Sequence, residues 1–221
     1  MTVALGVLAS GRGSNFQAIL DAIQQGRLDA VVKVVISNKS SALALERGRS
    51  HQVPSIFIDP KPFAQSDNPR EAYDVAVGQV LEEHGVEAVV LAGYMRIVTP
   101  VLIRQFPWKM FNIHPSLLPA FPGLQAQRQA LEWGAKVSGC SVHFVTEGVD
   151  EGPVIIQSAV SVLDQDTEES LSARILEQEH EILPKALQWY AEGRLRRDGR
   201  RVTVISSGER KGEITERKIV H

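Results

Sequence analysis

Short, almost uniformly apolar runs alternate with amphipathic segments through the first half of the chain, and few folds accept that rhythm. Val3 to Ala9 is the first such run, and after it Phe16, Ile19, Leu20 and Ile23 recur at helical spacing. Val31 to Ile36 repeats the strand signature, Ala42 to His51 has the composition of a helix, and Pro54 to Asp59 begins a third strand. A polar stretch from Asp59 to Pro69 leads into a helix from Arg70 to about His84, with Tyr73, Val77, Val80 and Leu81 on one face. Glu87 to Ala92 follows as another apolar run. Strands without a polar face must be covered on both sides, and strands joined through helices pair in parallel with right-handed crossovers. The expectation is an α/β chain with a Rossmann-like, mostly parallel sheet and helices on both faces.

The texture changes after Gly93. Pro100, Pro107, Pro115, Pro119 and Pro122 interrupt short apolar segments and predict loops around one strand, Met110 to Ile113. A helix is expected from about Leu124 to Trp133. Ser138 to Val145 and Pro153 to Val162 read as antiparallel strands, which makes the sheet mixed at its C-terminal strands. Thr167 and Ser170 are candidate caps of a long helix that reaches Tyr190 and stops at Gly193. The basic segment from Arg194 onward predicts a solvated hairpin across Asp198 and Gly199, then a loose end.

Composition excludes several function classes. Hydrophobic residues at 43% and charged residues at 23% fit an ordinary globular chain, and a net charge of −2 gives no global pull toward nucleic acid or an anionic membrane. The single Cys140 rules out an internal disulfide and any multi-cysteine metal site, so cytoplasm is the expected compartment. No apolar run approaches the length of a bilayer span.

Three segments carry candidate chemistry. Ser10-Gly11-Arg12-Gly13-Ser14-Asn15 lies between a buried strand and a helix, where backbone N–H groups and the positive end of the helix dipole converge. Its spacing fails the dinucleotide fingerprint, because Phe16 stands at the third glycine position and the second strand ends in Ser37-Asn38 instead of an acid. No Gly-Lys-Ser/Thr follows, so it is not a nucleoside-triphosphate loop. A phosphomonoester site and a simple tight turn both remain open.

On a strand from Met110 to Ile113, Asn112 and His114 project to the same face. The Asn112 amide can donate to a developing oxyanion, and His114 can donate as imidazolium or relay a proton. The alternative is a strand-end pair bonded to loop backbone. Asp150 sits with Glu147 and Glu151 among Gly148 and Gly152, a composition that suits a solvated acidic turn. Facing His114, however, it would stabilise the imidazolium, raise its pKa, or accept a proton from an attacking amine. Ser141 and His143 share a face of the preceding strand and are candidates to orient Asp150, with a satisfied core histidine as the other reading of His143. No histidine and carboxylate spacing matches a metal site, so none is expected.

Together these segments resemble the folate-dependent formyltransferase family, and within it the phosphoribosylglycinamide formyltransferases. The resemblance runs from Val3 to about Tyr190 and is carried by Leu8 to Asn15, Ile36 to Lys39, Val90 to Ile97, Asn112 to Pro119, Ser141 to Thr146 and Asp150 to Pro153. It implies a catalytic domain over 1–193, with a phosphate-binding half at about 1–105 and a folate-binding, catalytic half at about 106–193, followed by a tail at 194–221. It implies Asn112, His114 and Asp150 as catalytic, and Gly13, Ser14, Asn15 and Glu179 as contacts to glycinamide ribonucleotide. The backbone and apolar side chains of the segment Met95, Arg96, Ile97 and Val98 would surround the pterin of 10-formyltetrahydrofolate, Arg70 would lie near its glutamate tail, and Ser141 and His143 would flank Asp150. The partners implied are these small molecules, without nucleic acid or membrane, for a monomer or homodimer. Gln125 and Gln127 stand where some relatives carry histidines, and Leu176 where some place a glutamine. A formyltetrahydrofolate hydrolase would share the catalytic trio but usually adds a regulatory domain before the position of Val3. A noncatalytic phosphosugar-binding module would need the glycine loop alone.

Overall fold

The apolar runs become adjacent strands of one sheet. In the computed structural model, which describes residues 2–206, the elements in chain order are β1 (Val3–Leu8), α1 (Ser14–Gln24), β2 (Ala30–Ser37), α2 (Leu43–Ser50), β3 (Ser55–Phe57), a 3₁₀ turn at Lys61–Gln65, α3 (Pro69–Glu83), β4 (Ala88–Leu91) and α4 (Pro100–Gln105). They continue with β5 (Met110–His114), α5 (Ala126–Glu132), β6 (Val137–Phe144), β7 (Val154–Ser161), α6 (Glu168–Ala191), β8 (Leu195–Asp198) and β9 (Arg201–Val204). The large sheet has the order β3-β2-β1-β4-β5-β6-β7. Its first five strands in the chain pair in parallel, whereas β5–β6 and β6–β7 are antiparallel. This is the mixed α/β sheet that the sequence predicts.

Each face of the sheet carries its own apolar layer. Phe16 and Ile19 of α1 and Leu171, Ile175 and Leu183 of α6 pack on Leu5, Val7, Phe111 and Phe144. On the other face, Tyr73, Val77 and Leu81 of α3 and Leu102 of α4 pack on Leu8, Ile36, Val89 and Met110. Burying each such large side chain contributes roughly 1.5–3 kcal/mol, which fixes α1 and α3 on opposite faces. β1 lies between β2 and β4, so strand order reverses there. Ligands of open α/β sheets bind outside the carboxyl ends of the strands at such a reversal. The glycine loop leaves β1 at that edge, and the segment after β4 leaves beside it.

Two local features differ from expectation. Pro100 reads as a breaker, yet it opens α4, because a proline at the first helical position has no N–H to waste. The hairpin forms as expected, with Asp198 paired to Arg201 and Gly199 at φ 57°. It is docked, not solvated: Leu195 is buried in the core and the Arg197 guanidinium lies 3.7 Å above the Trp108 ring. The expected loose end of the tail falls outside the described residues. α6 carries both predicted caps, since Thr167 accepts from the Ser170 N–H while Ser170 accepts from the Thr167 N–H. Gly193, at φ 66°, donates to Tyr190 O and ends the helix.

Candidate active site

Period-two geometry on β5 places Asn112 and His114 on one face, and the antiparallel partner β6 brings two polar side chains beside them. Asn112 pairs across the ladder with His143, and His114 with Ser141. The loop between β6 and β7 folds back over this face with Asp150 in a left-handed conformation, φ 55°. Asp150 Oδ2 comes within 3.3 Å of His114 Nδ1, and Oδ1 accepts from Asn112 Nδ2 at 3.4 Å. The structure therefore brings the three candidate catalytic residues into one cluster.

The hydrogen bonds fix the state of each group. His143 Nδ1 donates to Phe144 O at 2.8 Å, leaving Nε2 as an acceptor for Asn112 Nδ2 at 3.0 Å. This bond orients the Asn112 amide with its nitrogen toward the cluster. His114 Nε2 donates to Phe121 O at 2.8 Å, while Nδ1 faces the Asp150 carboxylate. Burial pushes the His114 pKa below the ordinary imidazole value, and it outweighs the Phe121 carbonyl and the Asp150 charge, which both act upward. The upward pull expected from Asp150 is present, and desolvation exceeds it. Both ring nitrogens nevertheless face acceptors, so a proton gained during reaction finds a prepared position. For Asp150, burial acts upward, but the adjacent His143, the hydrogen bond from the Gly123 N–H and the His114 ring hold its carboxyl below the usual range.

Ser141 has a different task from the one expected. Its hydroxyl donates to Ser116 O and accepts from Leu118 N and Gln157 Nε2, so it anchors the loop after β5. Of the two residues on that face, His143 is the one beside Asp150, at 3.7 Å. Cys140 is fully buried and its thiol is pushed up to about 12 by burial, which makes it a packing residue.

The glycine loop forms a second lobe. Gly13 at φ 69° precedes α1, and a Cβ there would lie 2.8 Å from the Ala44 Cα. Ser14 is half-buried and Asn15 buried, with Asn15 Nδ2 donating to Glu179 of α6 at 2.6 Å. Burial raises the Glu179 pKa against that hydrogen bond, and Asn15 Oδ1 has no partner among the described residues. A groove of about 330 Å³, lined in part by Ser14, Gln17, Arg47 and His180, opens beside the loop.

The segment after β4 forms a third lobe. Met95 and Ile97 are exposed, at 60% and 54%. Val98 is instead buried in the core, and the Arg96 guanidinium turns inward to lie 4.2 Å from the Tyr73 ring centroid. Side chains alternate in direction along this segment, which produces the split. Arg70 stands exposed in the first turn of α3. Asp74, on the same helix, accepts from the Thr99 N–H at 2.6 Å, and burial raises its pKa despite that bond. Asp74 escaped the sequence reading, and Ser10, which opens the glycine loop, was given no role of its own there. Among the described residues no cluster of His, Cys, Asp and Glu is arranged to hold a metal ion, and no helix is long and apolar enough to cross a membrane.

A side-chain amide, an imidazole and a carboxylate gathered at the carboxyl edge of an α/β sheet are groups that an acyl-group transferase can use. Residues 3–187 match the formyl transferase family, and the chain belongs to it. It is 44% identical over 190 residues to the phosphoribosylglycinamide formyltransferase of Escherichia coli, with 86% of this chain and 88% of that protein covered. The crystal structure of glycinamide ribonucleotide transformylase 1 from Symbiobacterium toebii is 52% identical, covers 93% of this chain and 95% of its own, and superposes with a TM-score of 0.90. The trifunctional purine biosynthetic protein adenosine-3 of Drosophila pseudoobscura pseudoobscura is 48% identical over 193 residues, which are 86% of this chain. The chain spans 14% of that protein's length.

Proposed function

We propose that the chain transfers the formyl group of 10-formyltetrahydrofolate to the amine of glycinamide ribonucleotide, a step of purine biosynthesis. The observation that carries this reading is the convergence of Asn112, His114 and Asp150 at β5, next to β4, whose following segment exposes Met95 and Ile97, and two strands from β1, which the glycine loop follows. The likeness to the Escherichia coli and Symbiobacterium toebii proteins supports the same acceptor. Gly13, Ser14 and Asn15 would hold the acceptor's phosphate at the N-terminus of α1, with Glu179 on its ribonucleotide. Met95 and Ile97 would cover the pterin, with the backbone at Arg96 and Val98 beside it and Arg70 toward the glutamate tail.

The donors of the site are occupied at rest, and the longest contact is the one to yield. The formyl oxygen takes the Asn112 Nδ2 donor now shared with Asp150 at 3.4 Å, while the shorter bond to His143 stays in place. The acceptor amine attacks the formyl carbon, forming the new C–N bond and leaving an oxyanion on Asn112. The attacking nitrogen gives up a proton to the His114–Asp150 pair, either directly or through one water. Protonated His114 then lies between Phe121 O and the Asp150 carboxylate and stabilises the oxyanion. Collapse restores the carbonyl, breaks the bond to the folate nitrogen, and returns the proton to that nitrogen.

The test is consumption of formyl-folate by the purified chain with and without glycinamide ribonucleotide. Consumption that requires the amine, with formylated amine as product, is expected. Formate release at the same rate without the amine would replace this reading with a hydrolase.

A further inference from the structure

The run Ile36 to Lys39 has no role in the chemistry above, yet its Asn38 reaches the site through one buried hydroxyl. Ser10, at the carboxyl end of β1, is 3% exposed. Its Oγ donates to Asn38 Oδ1 at 2.6 Å and accepts from the Met95 N–H at 2.8 Å, while its own N–H donates to Gly93 O at 3.0 Å. The segments that follow three neighbouring strands, β2, β1 and β4, thus meet at one side chain. At the far end of the same segment, Asp74 accepts from the Thr99 N–H. Between these two anchors Arg96 and Val98 turn inward, and Met95 and Ile97 are left facing out.

We propose that Ser10 is a positioning residue for the formyl donor: its hydroxyl, oriented by Asn38, holds the Met95 backbone so that Met95 and Ile97 form the pterin-facing rim. A hydroxyl has one proton to give. Because Asn38 Oδ1 accepts it, the Ser10 lone pairs are turned toward Met95 N, so the Asn38 amide sets the direction of the whole relay. The glycine loop does not depend on this hydroxyl. It is held by the Ala44 N–H on Gly11 O and by Asn15 on Glu179. The role is therefore asymmetric, falling on the donor site and not on the acceptor's phosphate site.

The inference rests on the proposed formyl-folate reading, and its test separates the two. Wild-type turnover is measured first; amine-independent or absent turnover speaks against the function, whatever Ser10 does. In Ser10→Ala the half-buried Met95 N–H loses its acceptor, and the expected result is a KM for formyl-folate raised on the order of ten-fold, with the KM for glycinamide ribonucleotide within about two-fold of wild type. Amide hydrogen exchange over residues 93–97 should accelerate in the same variant, a readout that needs no substrate. Asn38→Asp keeps an acceptor for the hydroxyl and should retain protection of this segment, whereas Asn38→Ala should lose it even if Ser10→Ala fails to fold. Unchanged exchange at 93–97 in the variants that lack the hydroxyl or its acceptor, or an equal rise in both KM values, would overturn the proposal.

Discussion

Replacing Asp150 by asparagine keeps the shape of the side chain and removes its charge, which isolates the electrostatic part of the mechanism. The carboxylate stands 3.3 Å from His114 Nδ1 and accepts the Gly123 N–H at 2.8 Å. At that separation, an effective dielectric of about 20 gives roughly 5 kcal/mol of attraction between carboxylate and imidazolium. The amide dipole and entering water recover part of it, and the amide oxygen can still accept from Gly123. A net loss of about 3–4 kcal/mol remains, or roughly 10²–10³ in kcat. The loss should appear at saturating concentrations of both substrates, because the imidazolium forms only as the reaction proceeds. Steady-state kinetics for Asp150→Asn, with NMR titration of the His114 ring, measures both consequences. The ring pKa should fall further below its already lowered value. A variant within ten-fold of wild-type kcat, or an unshifted His114 titration, would refute the pairing as the source of catalysis.

Three further outcomes follow from the same geometry. Gly13→Ala must take up φ 69° and bring its Cβ within 2.8 Å of the Ala44 Cα, so thermal melting should show a loss of about 1–3 kcal/mol and the KM for the phosphorylated acceptor should rise about ten-fold or more. Because burial lowers the His114 pKa, the unfolded chain binds that proton more tightly; the histidine's contribution to stability is complete above 6.5 and is lost as pH falls through the folded value, which urea midpoints between about pH 5 and pH 8 will follow. The acidic limb of kcat/KM should likewise lie below 6.5, and a limb above it would contradict the neutral resting imidazole. Thr167→Ala removes one half of the cap on α6 and should cost about 1 kcal/mol in a denaturant titration without a change in either KM.

The parts of the fold that were legible in the sequence are those set by local periodicity. Uniform apolar runs announced the covered strands, and period two placed Asn112 with His114 and Ser141 with His143. Such a pattern assigns a face but not what stands opposite it, so Ser141 was expected at Asp150 and instead holds the Ser116–Leu118 loop. Proline carries two meanings, breaker or first helical residue, and α4 was lost to the first of them. The approach of Asp150 to His114 depends on a loop that reverses at a left-handed aspartate, for which no short-range signal exists. Ser10, Asn38 and Met95 are far apart in the chain and become neighbours only because β1 lies between β2 and β4. Desolvation, which decides the His114 pKa, is a property of the packed site and has no sequence signature.

The central claim, direct transfer at the Asn112–His114–Asp150 cluster, is tested most directly by following the formyl group itself. With ¹³C-labelled formyl donor and ¹⁸O-labelled water, the account predicts that the formylated amine carries the donor's carbon and its original oxygen, and that His114→Ala slows this product about 10²-fold or more. Product that contains solvent oxygen would mean that formate is released before the amine reacts, and would contradict it.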